Sequence, residues 1–85
     1  MKKWPAWWHW ELELSPHLFK RMADRGFTEV DLRTMLQATT RLRRDVEPGR
    51  WVAATRLRRL RWEVILEPDP AAERIVVITA YPSAP

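Results

Sequence analysis

The stretch Arg61–Pro82, RWEVILEPDPAAERIVVITAYP, limits what this chain can become more than any other part of it. Two apolar-rich runs, Leu60–Leu66 and Arg74–Ala80, flank the segment Glu67-Pro68-Asp69-Pro70-Ala71-Ala72-Glu73. The first run alternates. Leu60, Trp62, Val64 and Leu66 share one parity, and Arg61, Glu63, Ile65 and Glu67 the other. That pattern predicts a half-buried strand with one wet face. The second run is β-branched on both parities, which predicts a strand covered on both faces and central in its sheet. Prolines on either side of Asp69 cannot occupy a paired central strand, so they are expected to mark the turn of a β-hairpin.

An 85-residue chain has room for one modest core, so a single domain over residues 1–85 is expected. Apolar content of 46% argues against disorder. The chain has no cysteine, which excludes disulfides, thiol chemistry and thiolate metal sites. Its two histidines, His9 and His17, have no metal-ligand spacing, so neither a metal nor another cofactor is expected. No apolar run approaches the roughly 20 residues that span a bilayer. Lys2-Lys3 before the tryptophans imitates a leader only in outline, because the segment runs directly into Glu11 and Glu13. The expectation is a cytoplasmic domain without a membrane partner. A module cut from a secreted toxin would have the same composition.

Upstream, Trp10-Glu11-Leu12-Glu13-Leu14 alternates and predicts a strand near a sheet edge. Ser15 and Pro16 are an N-cap and a first helical residue, and Gly26 is a natural stop. Thr28 and Asp31 form a capping-box pair for a second helix that ends near Ala38–Thr40. Thr40–Val46 reads as a short charged strand and Glu47-Pro48-Gly49-Arg50 as a turn. Arg50–Arg58 reads as a strand, with Arg58-Arg59 turning into the final hairpin. The expected fold is α+β, in the order β-α-α-β-β-β-β. Two short N-terminal helices pack on one face of a four- to five-stranded antiparallel sheet. Met1–His9 holds three of the six tryptophans. These rings either cap one end of the core, or form a partner-docking surface, or stack nucleic-acid bases.

Charge is uneven. Residues 41–61 carry eight arginines against Asp45 and Glu47, whereas residues 62–85 carry Arg74 against four acids. Twelve of the fifteen basic residues are arginine, the side chain suited to bidentate contact with phosphate or carboxylate. Arg41, Arg43, Arg50, Arg56 and Arg58 are therefore candidates for nucleic-acid binding, with an acidic protein as the other natural partner. A solvated face written in arginine by a GC-rich genome is the competing explanation. On the first helix, His17, Arg21 and Arg25 fall at i, i+4 and i+8 and form one stripe. The stripe is equally that of a solvent-exposed histidine above arginines that pair with Asp24, Glu29 or the sheet.

The segments HLFKRMADRG (His17–Gly26), Gly49-Arg50-Trp51 and Val76–Pro82 resemble a family of small bacterial domains of unknown function. That family belongs to the RelE/ParE-like and barnase-like ribonuclease toxin folds. The likeness covers about residues 10–82, and the Trp-rich opening is outside it. It implies a metal-independent RNA-cleaving toxin of a toxin–antitoxin or contact-delivered system, with RNA and a cognate antitoxin or immunity protein as partners. It also implies that His17, Arg21, Arg25, Thr79 and Tyr81 are the functional positions. In that chemistry a base takes the 2′-hydroxyl proton and cations hold the phosphorane. The leaving 5′-oxygen also needs a proton donor; His17 at a helix N-terminus suits the base, Arg21 and Arg25 with Arg50 or Arg56 the phosphate, Tyr81 the donation or orientation of a proton, and Thr79 a hydrogen bond to the scissile group. The bland alternatives are a strand-forming Thr79 and a Tyr81 at the core rim. A non-catalytic binding module of the same fold, for example a ParE-like inhibitor, is the alternative function.

Overall fold

Both helices begin where the capping residues place them. In the computed structural model, which describes residues 4–83, α1 spans Pro16–Arg25. Ser15 Oγ accepts from the Leu18 N–H at 3.1 Å, and Gly26 ends the helix in the left-handed region at φ 67°. The second helix, α2, spans Glu29–Gln37. Its capping box is complete: Asp31 N–H donates to Thr28 Oγ1 at 3.1 Å, and Thr28 N–H to Asp31 Oδ2 at 2.9 Å. Lys2 and Lys3, considered above as a leader, lie outside the described residues.

The five strands are β1 (Glu11–Leu14), β2 (Arg41–Arg44), β3 (Trp51–Leu57), β4 (Leu60–Asp69) and β5 (Arg74–Pro82), preceded by a 3-10 turn at Ala6–His9. They form one sheet in the order β1-β5-β4-β3-β2. The fold class is α+β as expected, but the sheet is mixed. β1 pairs with β5 in parallel, from Glu11 against Arg74 to Leu14 against Val77. No hairpin joins β1 to β5. Two helices and three strands intervene, so no tight turn forces the antiparallel direction there. The other three pairings are antiparallel, as the short connections require.

The prolines also behave differently from expectation. β4 continues through Pro68 to Asp69, with Pro68 opposite Ile75. β3 stops pairing with β4 at Leu66, so no described strand lies on that side of Pro68 to miss a donor. The turn is displaced to Pro70–Glu73, where Glu73 takes φ 52°.

Both helices pack on one face, α1 against β5 and α2 against β3. The core lies between, built on Leu18, Leu32, Met35, Val64, Leu66 and Val77, all without exposed surface. Thr39 and Thr55, both buried, donate to the Met35 carbonyl and tie the end of α2 to β3. Trp7, Trp8 and Trp10 pack against the same core, and Trp7 meets Trp51 at 5.5 Å between ring centroids. The tryptophan-rich opening thus covers core, the first of the three roles considered for it. A cavity of about 230 Å³ remains between Trp8, Trp10, Leu12 and Leu36, floored by Leu66 and Ile75.

Where β1 ends, α1 takes over the rim of β5. Ser15 N–H donates to Val77 O at 3.3 Å and Ser15 Oγ to Ile78 O at 3.0 Å. At the far end of the helix, Arg25 Nη1 donates to Ala80 O at 2.8 Å and to Thr79 Oγ1 at 3.3 Å. Buried strand-edge carbonyls demand such partners.

Candidate nucleic-acid interface

No described element covers the second face of the sheet. Pairing register places Arg41 and Arg43 of β2, Val52, Ala54 and Arg56 of β3, and Arg61, Glu63 and Ile65 of β4 on it. A β-bulge completes the set. Ile65 pairs with Thr79 but Leu66 with Val77, so Ile78 is an extra residue in β5. By simple alternation Thr79 and Tyr81 would follow Ile75 and Val77 into the core. The bulge reverses the parity, turns Ala80 inward, and brings Thr79 and Tyr81 to the open face.

Tyr81 then lies opposite Glu63, and its hydroxyl donates to Glu63 Oε1 at 2.8 Å. Arg43 Nη2 donates to the other oxygen at 3.2 Å. Burial first, and then the Glu63 acceptor beside it, push the Tyr81 phenol above its ordinary value. Val52 and Ile65 remain buried on this same face.

Beside this network lies a concavity of about 490 Å³ whose rim carries Arg41, Arg56, Arg61 and Glu63. Arg56 and Arg61 stand directly opposite each other across β3 and β4. Like charges so placed oppose strand pairing. Among the described residues, neither guanidinium has a side-chain or carbonyl partner, and the same is true of Arg41. Three cations without a partner among the described residues therefore surround one hollow.

The five arginines singled out in the sequence divide. Arg41 and Arg56 line the hollow. Arg43 is on the same face but is held by Glu63, and Arg50 is paired with Glu67 at 3.0 Å. Arg58 is at the β3–β4 turn on the helical side, bonded to Gly26 O at 3.2 Å and Asp31 Oδ2 at 3.0 Å. Arg61 and Glu63 were not singled out. The signal for both was available: a two-residue turn at Arg58-Arg59 fixes Arg56 opposite Arg61, and Glu63 is next along that parity.

Of the helical stripe, Arg25 and Thr79 meet. Arg21 is engaged by Asp24 at 2.9 Å, one of the alternatives weighed for it. His17 is exposed on the first turn of α1 and makes no side-chain hydrogen bond or ion pair among the described residues. Tyr81 contacts Glu63, not the stripe. The described residues hold no cluster of histidines and carboxylates able to bind a metal. No described helix is long and apolar enough to cross a membrane. No family model, curated protein or solved structure matches the chain.

Proposed function

We propose that this domain binds RNA along the open face of its sheet, with Arg41, Arg56 and Arg61 as phosphate contacts. The observation that carries the proposal is the uncompensated Arg56–Arg61 pair facing the hollow. Two guanidiniums opposed across a ladder cost stability in the free protein, and a bound polyanion relieves the cost. Single-stranded RNA suits a sheet face better than duplex does, since no described helix projects from this side to enter a groove. The test is fluorescence anisotropy of a labelled single-stranded RNA. Arg56→Ala/Arg61→Ala is expected to lower affinity at least tenfold, with thermal stability unchanged or raised. Equal affinity in that variant, or equal competition by polyaspartate, refutes RNA as the ligand of this face.

A second reading, RNA cleavage by a metal-independent toxin, is favoured by the Tyr81–Glu63 hydrogen bond at the rim of the same hollow. A carboxylate suits the removal of the 2′-hydroxyl proton as that oxygen attacks phosphorus, a phenol suits the donation of a proton to the leaving 5′-oxygen as its bond to phosphorus breaks, and the arginines suit the charge on phosphate. On this geometry Glu63 serves as the base better than His17, because Glu63 shares the hollow with the arginines. Glu63→Gln is then expected to abolish cleavage with RNA binding retained, and His17→Ala to leave cleavage intact. RNA that stays whole under excess protein leaves binding alone as the function. A cognate antitoxin or immunity protein would present carboxylates to these same arginines.

A further inference from the structure

The two outermost strands carry opposite charges. β1 reads Glu-Leu-Glu-Leu and β2 reads Arg-Leu-Arg-Arg. β5 is the element packed along β1 and β3 the one packed along β2, so the outer rims of both have no strand partner among the described residues. Edge strands commonly bear charge to prevent pairing with other chains. That device fails when the two edges of one sheet have opposite signs. β1 against β1, or β2 against β2, brings like charges together. β1 against β2 does not.

Direction and facing agree as well. β1 runs with β5, and the three antiparallel steps from β5 through β4 and β3 to β2 reverse the direction. If a second copy extends the sheet in the same orientation, its β2 runs antiparallel to β1 of the first. Glu11 and Glu13 are on the open face and Leu12 and Leu14 on the helical face. Arg41 and Arg43 are on the open face and Leu42 on the helical face. One antiparallel register therefore sets Glu11 opposite Arg43, Leu12 opposite Leu42, and Glu13 opposite Arg41. Both ion pairs then form on one face and the leucine pair on the other. Among the described residues Glu13 and Arg41 are without partners, and the Glu11 side chain is 83% exposed with only a 3.8 Å contact to Arg74.

We propose that copies of this chain associate head to tail, β1 of one adding to β2 of the next. Such an interface is heterologous. It yields open chains of copies or a ring, not a two-fold dimer. With four-residue strands on each side it is a weak, concentration-dependent contact. It does not rest on RNA binding.

The experiment is sedimentation equilibrium on nuclease-treated, nucleic-acid-free protein at physiological ionic strength. The wild type is compared with Glu11→Arg/Glu13→Arg, with Arg41→Glu/Arg43→Glu, and with an equimolar mixture of the two. The wild type is expected to show an average mass that rises with concentration. Each variant alone has two edges of the same sign and is expected to stay monomeric. The mixture is expected to regain association, which an unfolded variant would not support. The milder Glu13→Gln is expected to weaken wild-type association several-fold. A wild type monomeric at every concentration, a charge-reversed variant that associates as the wild type does, or a mixture that stays monomeric would each overturn the proposal.

Discussion

Two adjacent arginines, Arg58 and Arg59, occupy a turn that favours Asn-Gly. Both are in the left-handed region, at φ 51° and 69°. Arg58 recovers the strain through Gly26 O and Asp31, joining the hairpin to the α1–α2 connection. Arg59 is exposed and has no such contact among the described residues. Arg59→Gly is therefore expected to stabilise the fold by about 1 kcal/mol in denaturant titration. Arg58→Gly, which loses two contacts along with the strain, is expected to give no gain. Tyr81 offers a second test at this scale, because it is the one tyrosine in the chain. Its raised pKa means that the folded state holds the phenolic proton more tightly than the unfolded state. The associated stability is present below the ordinary tyrosine pKa of about 10 and is lost as pH rises through the folded value. Phenolate absorbance of the folded protein is expected to titrate above that ordinary value. Glu63→Gln should bring the midpoint down part of the way, because burial, the larger cause, remains.

At the scale of elements, α1 does the work of a strand. It closes the β5 rim from Val77 to Ala80 through Ser15 at one end and Arg25 at the other. Arg25→Ala is expected to destabilise by about 1–3 kcal/mol by leaving those acceptors open. His17→Ala should leave the melting temperature unchanged, and comparable losses in the two would contradict this division of roles. The capping box of α2 makes an acid-side prediction. The Thr28 backbone N–H, opposed by desolvation and helped by Arg58, holds Asp31 below its ordinary value. A lowered folded pKa gives stability that is present above the ordinary carboxylate value and lost as pH falls through the folded one. Wild-type stability should thus decline below about pH 4, and Asp31→Asn should remove part of that decline. The helices were legible because caps are local: Ser15, Gly26, Thr28 and Asp31 act within one turn. Strand parity was legible in β4 but not in β5, where a β-branched run on both parities reads as covered on both faces although no described element covers one of them. A bulge depends on pairing with β4, and alternation along β5 alone carries no trace of it.

Over the whole molecule, the parallel β1–β5 pair was out of reach of the sequence, since it joins segments more than sixty residues apart by a slot that only the finished sheet defines. The candidate site shares that dependence. Arg41, Arg56 and Arg61 come from three strands, and nothing in a count of arginines distinguishes them from Arg43, Arg50 or Arg58, which the fold neutralises. The distinction has a measurable consequence. If the whole arginine-rich segment bound RNA, eight cations would release counterions. If only the three around the hollow do, the logarithm of the association constant should fall with the logarithm of salt at a slope of about −2, at roughly −0.7 per contact on a single strand. Arg56→Ala/Arg61→Ala should reduce the slope to about −0.7. Arg50→Ala and Arg58→Ala should leave it unchanged, because those side chains already spend their charge on Glu67 and Asp31. A wild-type slope steeper than about −4 would mean that RNA opens these ion pairs and uses the segment as a whole.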